Sequence, residues 1–586
     1  MMTQYRAIAT VIFATLIALT TKAQQDTTRL KKEVEVVKAY QPTIQEFQKI
    51  NDIPQIKPEQ TEPPTFDYSI FSKPVYTTFD PTPVAAAKMV GEPRAELGNG
   101  LLKLGMGNYQ TPYGELFFNA RSDKKTNFGL HFNHLSSSGE VKLLNNDVVN
   151  APESLNSGEI FVERFLRKST LTAQLGFYRH AFTYYGYATN QLSDEEKGQV
   201  IPWFGQKQYF AKGTASVRLK SEAPLSSGIN YDFKAQFHYL ASKTGQAEQE
   251  FAVSGNVSKK IDKMLGILDV SFTSNKVDSI FSQQTNMYGN ASQQFLRANP
   301  SVKWTADVAS LQIGVNATAV LETKTDAKFY LSPKLSAQWS PVPEVLTLFA
   351  GVDGYLKQNT YSTIAAENPY TDPYHDVANT NYQYIVSGGF KGKFTPKTNY
   401  VATANYSVVK DQNFYFLESQ NLSLIGLSQK LNNTFSYLYD DVDILKLSGE
   451  VLHSVSDDFS VNLSGNYYSY KLKTIEKPWN MPNFDFTLSG VYKPNNQFKF
   501  NADVFVVGKR TALIRDFSWA SSSSYPTNIE ISMDPIVDVN FGAEYYFSKN
   551  LNFFCKLNNL GFQKYEQWLG YTNKNFNWLA GISYRF

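Results

Sequence analysis

The stretch Leu311-Gln312-Ile313-Gly314-Val315-Asn316-Ala317-Thr318-Ala319-Val320-Leu321 puts Leu, Ile, Val, Ala, Ala and Leu on one side of an extended chain and Gln, Gly, Asn, Thr and Val on the other. Successive side chains of a strand point to opposite faces, so a period of two gives a wall with one greasy side and one wet side. The same period recurs where Phe459, Val461, Leu463 and Tyr467 alternate with Ser460, Asn462, Ser464 and Asn466. It recurs again where Phe498, Phe500, Ala502, Val504 and Val506 alternate with Lys499, Asn501 and Asp503. From Glu92 to Phe586 the chain repeats this unit: a strand of roughly 10–16 residues, a turn, another strand.

A soluble sandwich would show the same alternation, and three features point instead to a transmembrane barrel. The strands are long. Short turns at Lys168-Ser169, Ala309-Ser310, Pro494 to Gln497 and Ser548-Lys549-Asn550 alternate with long polar loops at 136–156, 188–205, 276–293, 359–380 and 509–533, as periplasmic turns alternate with outer loops. The apolar faces carry few charges, and a Lys or Arg facing lipid at mid-membrane costs about 2–4 kcal/mol. The fold class expected is all-β: one antiparallel transmembrane barrel of about 22 strands (20–22), the first starting near 96 and the last near 575. Residues 432–455 read as one long strand or two. Leu311, Ile313, Val315, Phe498, Phe500 and Val504 are expected to face lipid, and Gln312, Asn316, Lys499 and Asp503 the lumen.

Composition agrees. Aromatics make up 15% of the 586 residues, with 42 Phe, 36 Tyr and 7 Trp; such residues favour strands and gather where membrane meets water. The net charge of +3 is too small to argue for nucleic acid. The single cysteine, Cys555, excludes an internal disulfide framework or a multi-cysteine metal site. Residues 1–23 read as a secretory signal: Arg6, an apolar run from Ala7 to Leu19, then Thr21-Lys22-Ala23 before the cut. That run is too short to span a membrane as a helix. Residues 24–92 are Pro-rich and read as an extended periplasmic or lumenal segment, because Pro cannot donate to a sheet ladder. Within it Phe66, Tyr68, Ile70, Phe71, Val75 and Tyr76 are costly to leave in water, so 65–92 is expected against the inner wall or the periplasmic rim. The barrel follows as 93–586.

The last strand carries the most specific signal. Gly581-Ile582-Ser583-Tyr584-Arg585-Phe586 ends on an aromatic, with a second aromatic two residues earlier. It resembles the terminal signal read by the outer-membrane barrel assembly machinery, with Gly581, Tyr584 and Phe586 as its residues; Leu579 stands where the pattern has a polar residue. The preceding Leu557-Asn558-Asn559-Leu560-Gly561-Phe562-Gln563-Lys564-Tyr565 resembles the C-terminal end of TonB-dependent receptors. That resemblance implies their barrel wall. It departs from them ahead of the wall, where about 70 Pro-rich residues stand in the place of a full globular plug. Glu33, Val34, Glu35, Val36 and Val37 read first as a fragment of periplasmic β-structure or disorder, and second, by resemblance, as the short box that pairs with TonB by strand addition.

Little in the sequence speaks for chemistry. His131 and His134 are three apart in a strand, so they point to opposite faces and cannot share a metal. Asn368-Pro369-Tyr370-Thr371-Asp372-Pro373-Tyr374-His375-Asp376 reads first as a solvated outer loop, and second as a holder of a cation or sugar. Trp203-Phe204 reads as interface aromatics or a glycan platform. No hydrolase triad, phosphate loop, dinucleotide fingerprint or metal motif is present, so neither an enzyme nor a cofactor is expected. Two functions fit: passage or uptake of a solute across the outer membrane, or a non-transporting barrel that anchors a multiprotein complex. The expected partners are outer-membrane lipid, the barrel assembly machinery, and TonB or other periplasmic and outer-membrane proteins.

Overall fold

A strand with one apolar and one polar face cannot satisfy its edges alone, and in lipid every backbone polar group needs a partner. Closure of the sheet on itself answers both demands. In the computed structural model, residues 99–586 are described apart from 124, 188–206, 223–227, 279–290, 323–324, 373–376, 422–429 and 517–526. Residues 1–98 lie outside the described residues, and with them the signal segment, the Pro-rich segment and Glu33 to Val37.

Twenty-two strands form one closed antiparallel ring. They are β1 (Gly100–Gly107), β2 (Thr111–Asp123), β3 (Thr126–Ser137), β4 (Glu153–Phe165), β5 (Ser169–Thr183), β6 (Lys207–Ser221) and β7 (Ile229–Ser242). Then come β8 (Ala247–Ile261), β9 (Met264–Asp278), β10 (Ala291–Thr305), β11 (Ala309–Glu322), β12 (Thr325–Val342), β13 (Leu346–Lys357) and β14 (Thr380–Thr395). The ring ends with β15 (Thr398–Asn421), β16 (Lys430–Ser454), β17 (Phe459–Leu472), β18 (Phe484–Asn495), β19 (Phe498–Val507), β20 (Ile536–Tyr546), β21 (Leu551–Asn558) and β22 (Asn577–Arg585). Each pairs with the next in order, and β22 returns to β1 with Leu102 opposite Tyr584 and Gly105 opposite Gly581. Gly100 and Phe586 exchange backbone hydrogen bonds of 2.8 and 3.0 Å. A side chain at Gly581 has no room, since its Cβ would lie 2.1 Å from the Leu104 carbonyl oxygen. The segment that ends on Tyr584 and Phe586 is therefore the strand that closes the ring.

The faces sort as expected. Leu311, Ile313, Val315 and Phe498 are exposed on the outside of the ring. On the inner face, Gln312 donates to Ser301, Asn316 to Asp353, Lys499 pairs with Glu544 at 3.1 Å, and Asp503 accepts from Ser489. The connectors at the end that holds Gly100 and Phe586 are short, whereas the opposite end carries 138–152, 358–379, 508–535 and 559–576. Short turns belong to the periplasmic side and long loops to the outside. With its outward apolar surface, the chain is an outer-membrane barrel.

Three expectations need correction or completion. Residues 432–455 form one strand, the 25-residue β16, which pairs with the 24-residue β15 well beyond the height of the membrane. Its outer part is braced by Asp440, whose carboxylate accepts the backbone N–H groups of Lys473, Thr474 and Ile475 and the Thr474 hydroxyl. The polar loop 509–533 contains a hairpin, Arg510–Asp516 paired with Thr527–Met533, and its first strand runs parallel to β15 at Leu417 to Ser419. The loop 359–380 contains a helix, α1 (Tyr361–Glu367), capped by Thr360, whose hydroxyl accepts the Thr363 N–H. Among the described residues no helix is long and apolar enough to cross a membrane.

Candidate functional site at the barrel mouth

Helix α1 leaves the wall between β13 and β14, yet its apolar side rests on the inner face of β5–β7. Tyr361 and Ala365 pack there with Phe182, Phe210 and Leu240. Polar contacts fix the crossing. Glu248 of β8 is fully buried and accepts the Ser362 N–H at 3.2 Å, Lys212 of β6 donates to the Ser362 hydroxyl at 3.0 Å, and Gln358 donates to Glu250 at 3.1 Å. His238 of β7 lies between the two carboxylates, 3.2 Å from Glu248 and 3.7 Å from Glu250. A buried carboxylate is tolerable only with such partners, so the network commits α1 to the far wall.

Three loops meet beside it. Tyr185 follows β5, Tyr370 follows α1, and Tyr571 lies between β21 and β22. Their rings sit 3.5 Å (Tyr370–Tyr571, stacked), 5.1 Å (Tyr185–Tyr571) and 6.2 Å (Tyr185–Tyr370) apart. Strands about 4.8 Å apart and tilted by about 40° make a 22-strand ring roughly 44 Å wide. The three attachment points are six to eight strands apart around it. They therefore start roughly 33–40 Å from one another, and side chains can touch only where the loops span the mouth.

Around the tyrosines lies an apolar cluster that a lumen does not require: Ile364, Tyr415, Leu417, Phe435, Ala512, Ile514, Met533 and Leu569, contributed by α1, β15, β16, the 510–533 hairpin and the last loop. The last loop touches the most elements. Tyr571 donates its hydroxyl to the Asn433 carbonyl, and Tyr185 donates to the Thr572 carbonyl at 2.9 Å. Arg510 donates to the carbonyls of Glu566 and Gln567 at 2.5 and 2.6 Å. Trp568 packs edge-on against Tyr415 and Phe435. At its ends Lys564 donates to Asn146 and Lys574 pairs with Glu153. Burial pushes the Glu566 carboxyl up to about 7, against the pull of the Gly570 N–H and the Arg510 charge.

The residues singled out in the sequence fall as follows. Gly581, Tyr584 and Phe586 close the ring, away from the mouth. His131 faces the lumen beside Glu115, and His134 faces outward beside Asn156, on opposite faces as their spacing implies. The first reading of Asn368 to Asp376 as a solvated loop is overturned for its first part: Asn368 and Thr371 are buried, and Tyr370 stacks on Tyr571. Pro373 to Asp376 and Trp203-Phe204 lie outside the described residues. The tyrosine cluster was missed; the signal was there in Tyr184-Tyr185, Tyr370 and Tyr571, scattered over three loops that only the closed ring brings together.

A closed 22-strand wall with a polar interior and interlocked outer loops defines a large outer-membrane barrel, and comparison with solved structures agrees at the level of fold. The copper transporter OprC is similar over 85% of this chain and 82% of its own, with a TM-score of 0.61 at 12% identity. The FrpB iron transporter of Neisseria meningitidis is similar over 84% and 82%, with a TM-score of 0.64 at 9% identity. The siderophore receptor PirA of Acinetobacter baumannii is similar over 84% and 81%, with a TM-score of 0.61 at 11% identity. No protein-family profile and no curated protein sequence matches the chain.

Proposed function

We propose that the protein passes a solute across the outer membrane through the barrel lumen, with the interlocked outer loops as its gate. One observation carries this reading: the ring is wide and polar inside, while what crosses its mouth is loop contacts rather than wall. A wall must be stable, but loops held by side chains can part. Copper, iron and siderophore are named for proteins of the same fold; here no particular solute is assigned. In the same reading Glu33, Val34, Glu35, Val36 and Val37 add as a strand to a TonB-like periplasmic protein, and residues 65–92 line the inner wall or rim.

The crossed mouth also favours a second reading, a barrel that anchors a multiprotein complex and passes nothing. Osmotic swelling of proteoliposomes in sugars of graded size separates the two. Passage predicts size-limited swelling that rises when residues 565–573 are replaced by a Gly-Ser linker. Absence of swelling in both proteins, with stable co-purifying partners, favours the anchor.

A further inference from the structure

We propose that residues 559–576 are the latch of the mouth, and that ionisation of the Glu566 side chain releases it. The proposal rests on reading the mouth as a gate. It adds which loop moves and what moves it.

The latch assignment follows from connectivity. Tyr185 and Tyr370, from two distant loops, and Asn433 of β16 touch Tyr571, and the 510–533 hairpin is tied to the latch by Arg510. Its turn fits only with glycine. Gly570 has φ +85, and a Cβ there would lie 2.6 Å from the Tyr187 backbone. A Cβ on Gly186 would lie 2.4 Å from the Gly570 carbonyl oxygen. The two backbones are pressed together, so the latch cannot move without parting from 184–187.

The trigger follows from where Glu566 sits. It is 7% exposed. From the hairpin, Arg510 faces it, but both guanidinium Nη atoms are spent on latch carbonyls. From the segment after β5 comes Tyr185, neutral, its hydroxyl held up by burial, and from the latch itself come the Gly570 N–H and the Thr572 hydroxyl, both favouring the ionised form of the carboxyl. Lys564, Lys574 and Glu153 lie at the latch ends, engaged elsewhere. A carboxylate in this setting keeps the pull of the Gly570 N–H, the Arg510 charge and the Thr572 hydroxyl but loses its hydration, and the lost hydration outweighs the three. The closed latch therefore holds a proton that the open latch gives up: the carboxyl titrates near 7 closed and at its ordinary 4.5 when open to water. Between those values the closed form binds more protons, so closure is favoured at low pH, weakens as pH rises from about 4.5 to 7, and is level above. From pH 5 to pH 8 the open-to-closed ratio rises roughly 10- to 100-fold.

The test is amide hydrogen exchange of 565–573 in the full chain embedded in lipid nanodiscs, at pH 5 to 8, corrected for the intrinsic pH dependence of exchange. The wild type is expected to lose roughly 10- to 100-fold protection over that range. Glu566→Gln, which keeps the shape of the protonated side chain, is expected to stay protected at pH 8. A wild type with no pH dependence overturns the proposal without needing any variant. A Glu566→Gln protein with the wild-type pH dependence overturns it too. Exchange reads the latch and not solute flux: a pH-released latch in a barrel that passes nothing supports this inference and sinks the transport reading, and a pH-indifferent latch in a conducting barrel does the reverse.

Discussion

Val315 and Asn316 are adjacent in β11 and face opposite ways, so a lysine at each separates the lipid side of the wall from the lumen side within one residue. Val315 lies near the middle of its 14-residue strand, outside the ring, opposite Pro333 of β12. Val315→Lys sets an ammonium in hydrocarbon, which costs about 2–4 kcal/mol at mid-membrane. Asn316→Lys loses the amide hydrogen bonds to Asp353 (2.7 Å) and the Gly354 carbonyl (2.9 Å) but leaves the new ammonium within reach of the Asp353 carboxylate. The net cost is about 0–1 kcal/mol. The folding equilibria should thus differ by about fivefold to nearly a thousandfold, with Val315→Lys the weaker protein. The assay is urea-driven unfolding from lipid vesicles, read by heat-modifiable gel mobility and tryptophan fluorescence. Equal losses, or a greater loss for Asn316→Lys, would refute the assignment of faces.

Deletion of Tyr584-Arg585-Phe586 removes the Gly100–Phe586 bonds and the Leu101–Arg585 and Leu102–Tyr584 pairs of the closing ladder; the truncated chain should not fold into membranes, and normal heat-modifiable mobility would count against Gly581, Tyr584 and Phe586 as an assembly signal. Tyr571→Ala empties a fully buried ring site and should cost the closed mouth about 3–5 kcal/mol, seen as faster exchange at 184–187 and 369–372 with the wall strands unchanged. Glu248→Ala removes the Ser362 N–H bond between α1 and the wall and leaves His238 with one carboxylate; exchange across 361–367 should rise at least tenfold, and an unchanged rate would show that the apolar packing and the Lys212 bond suffice to hold the helix.

The wall was legible in the sequence because each strand states its own faces. Lys499 and Asp503 on one side of β19, with Phe498, Phe500 and Val504 on the other, need no knowledge of the rest of the chain. Gly581 and Phe586 were legible because a terminal strand has one job. The mouth was not legible, for the opposite reason. Tyr185, Tyr370 and Tyr571 meet only through closure of the ring, and no local period links them. The 510–533 hairpin was hidden differently: Ala512, Leu513 and Ile514 are apolar in succession and all buried, so no alternation marks a strand there, and the run is short. The burial of Asn368 and Thr371 depends on partners from β16 and the last loop, which proximity in sequence does not supply.

The central proposal is that this barrel is a passage obstructed by its outer loops rather than by its wall, with residues 65–92 expected to add to the obstruction. Single-channel recording in planar bilayers tests it on four proteins: the wild type, one with residues 565–573 replaced by a Gly-Ser linker, one lacking 65–92, and one carrying both changes. The predicted result is brief, infrequent openings in the wild type, larger conductance with either change alone, and steady, wide conductance with both. A folded double variant that carries no current would contradict the claim.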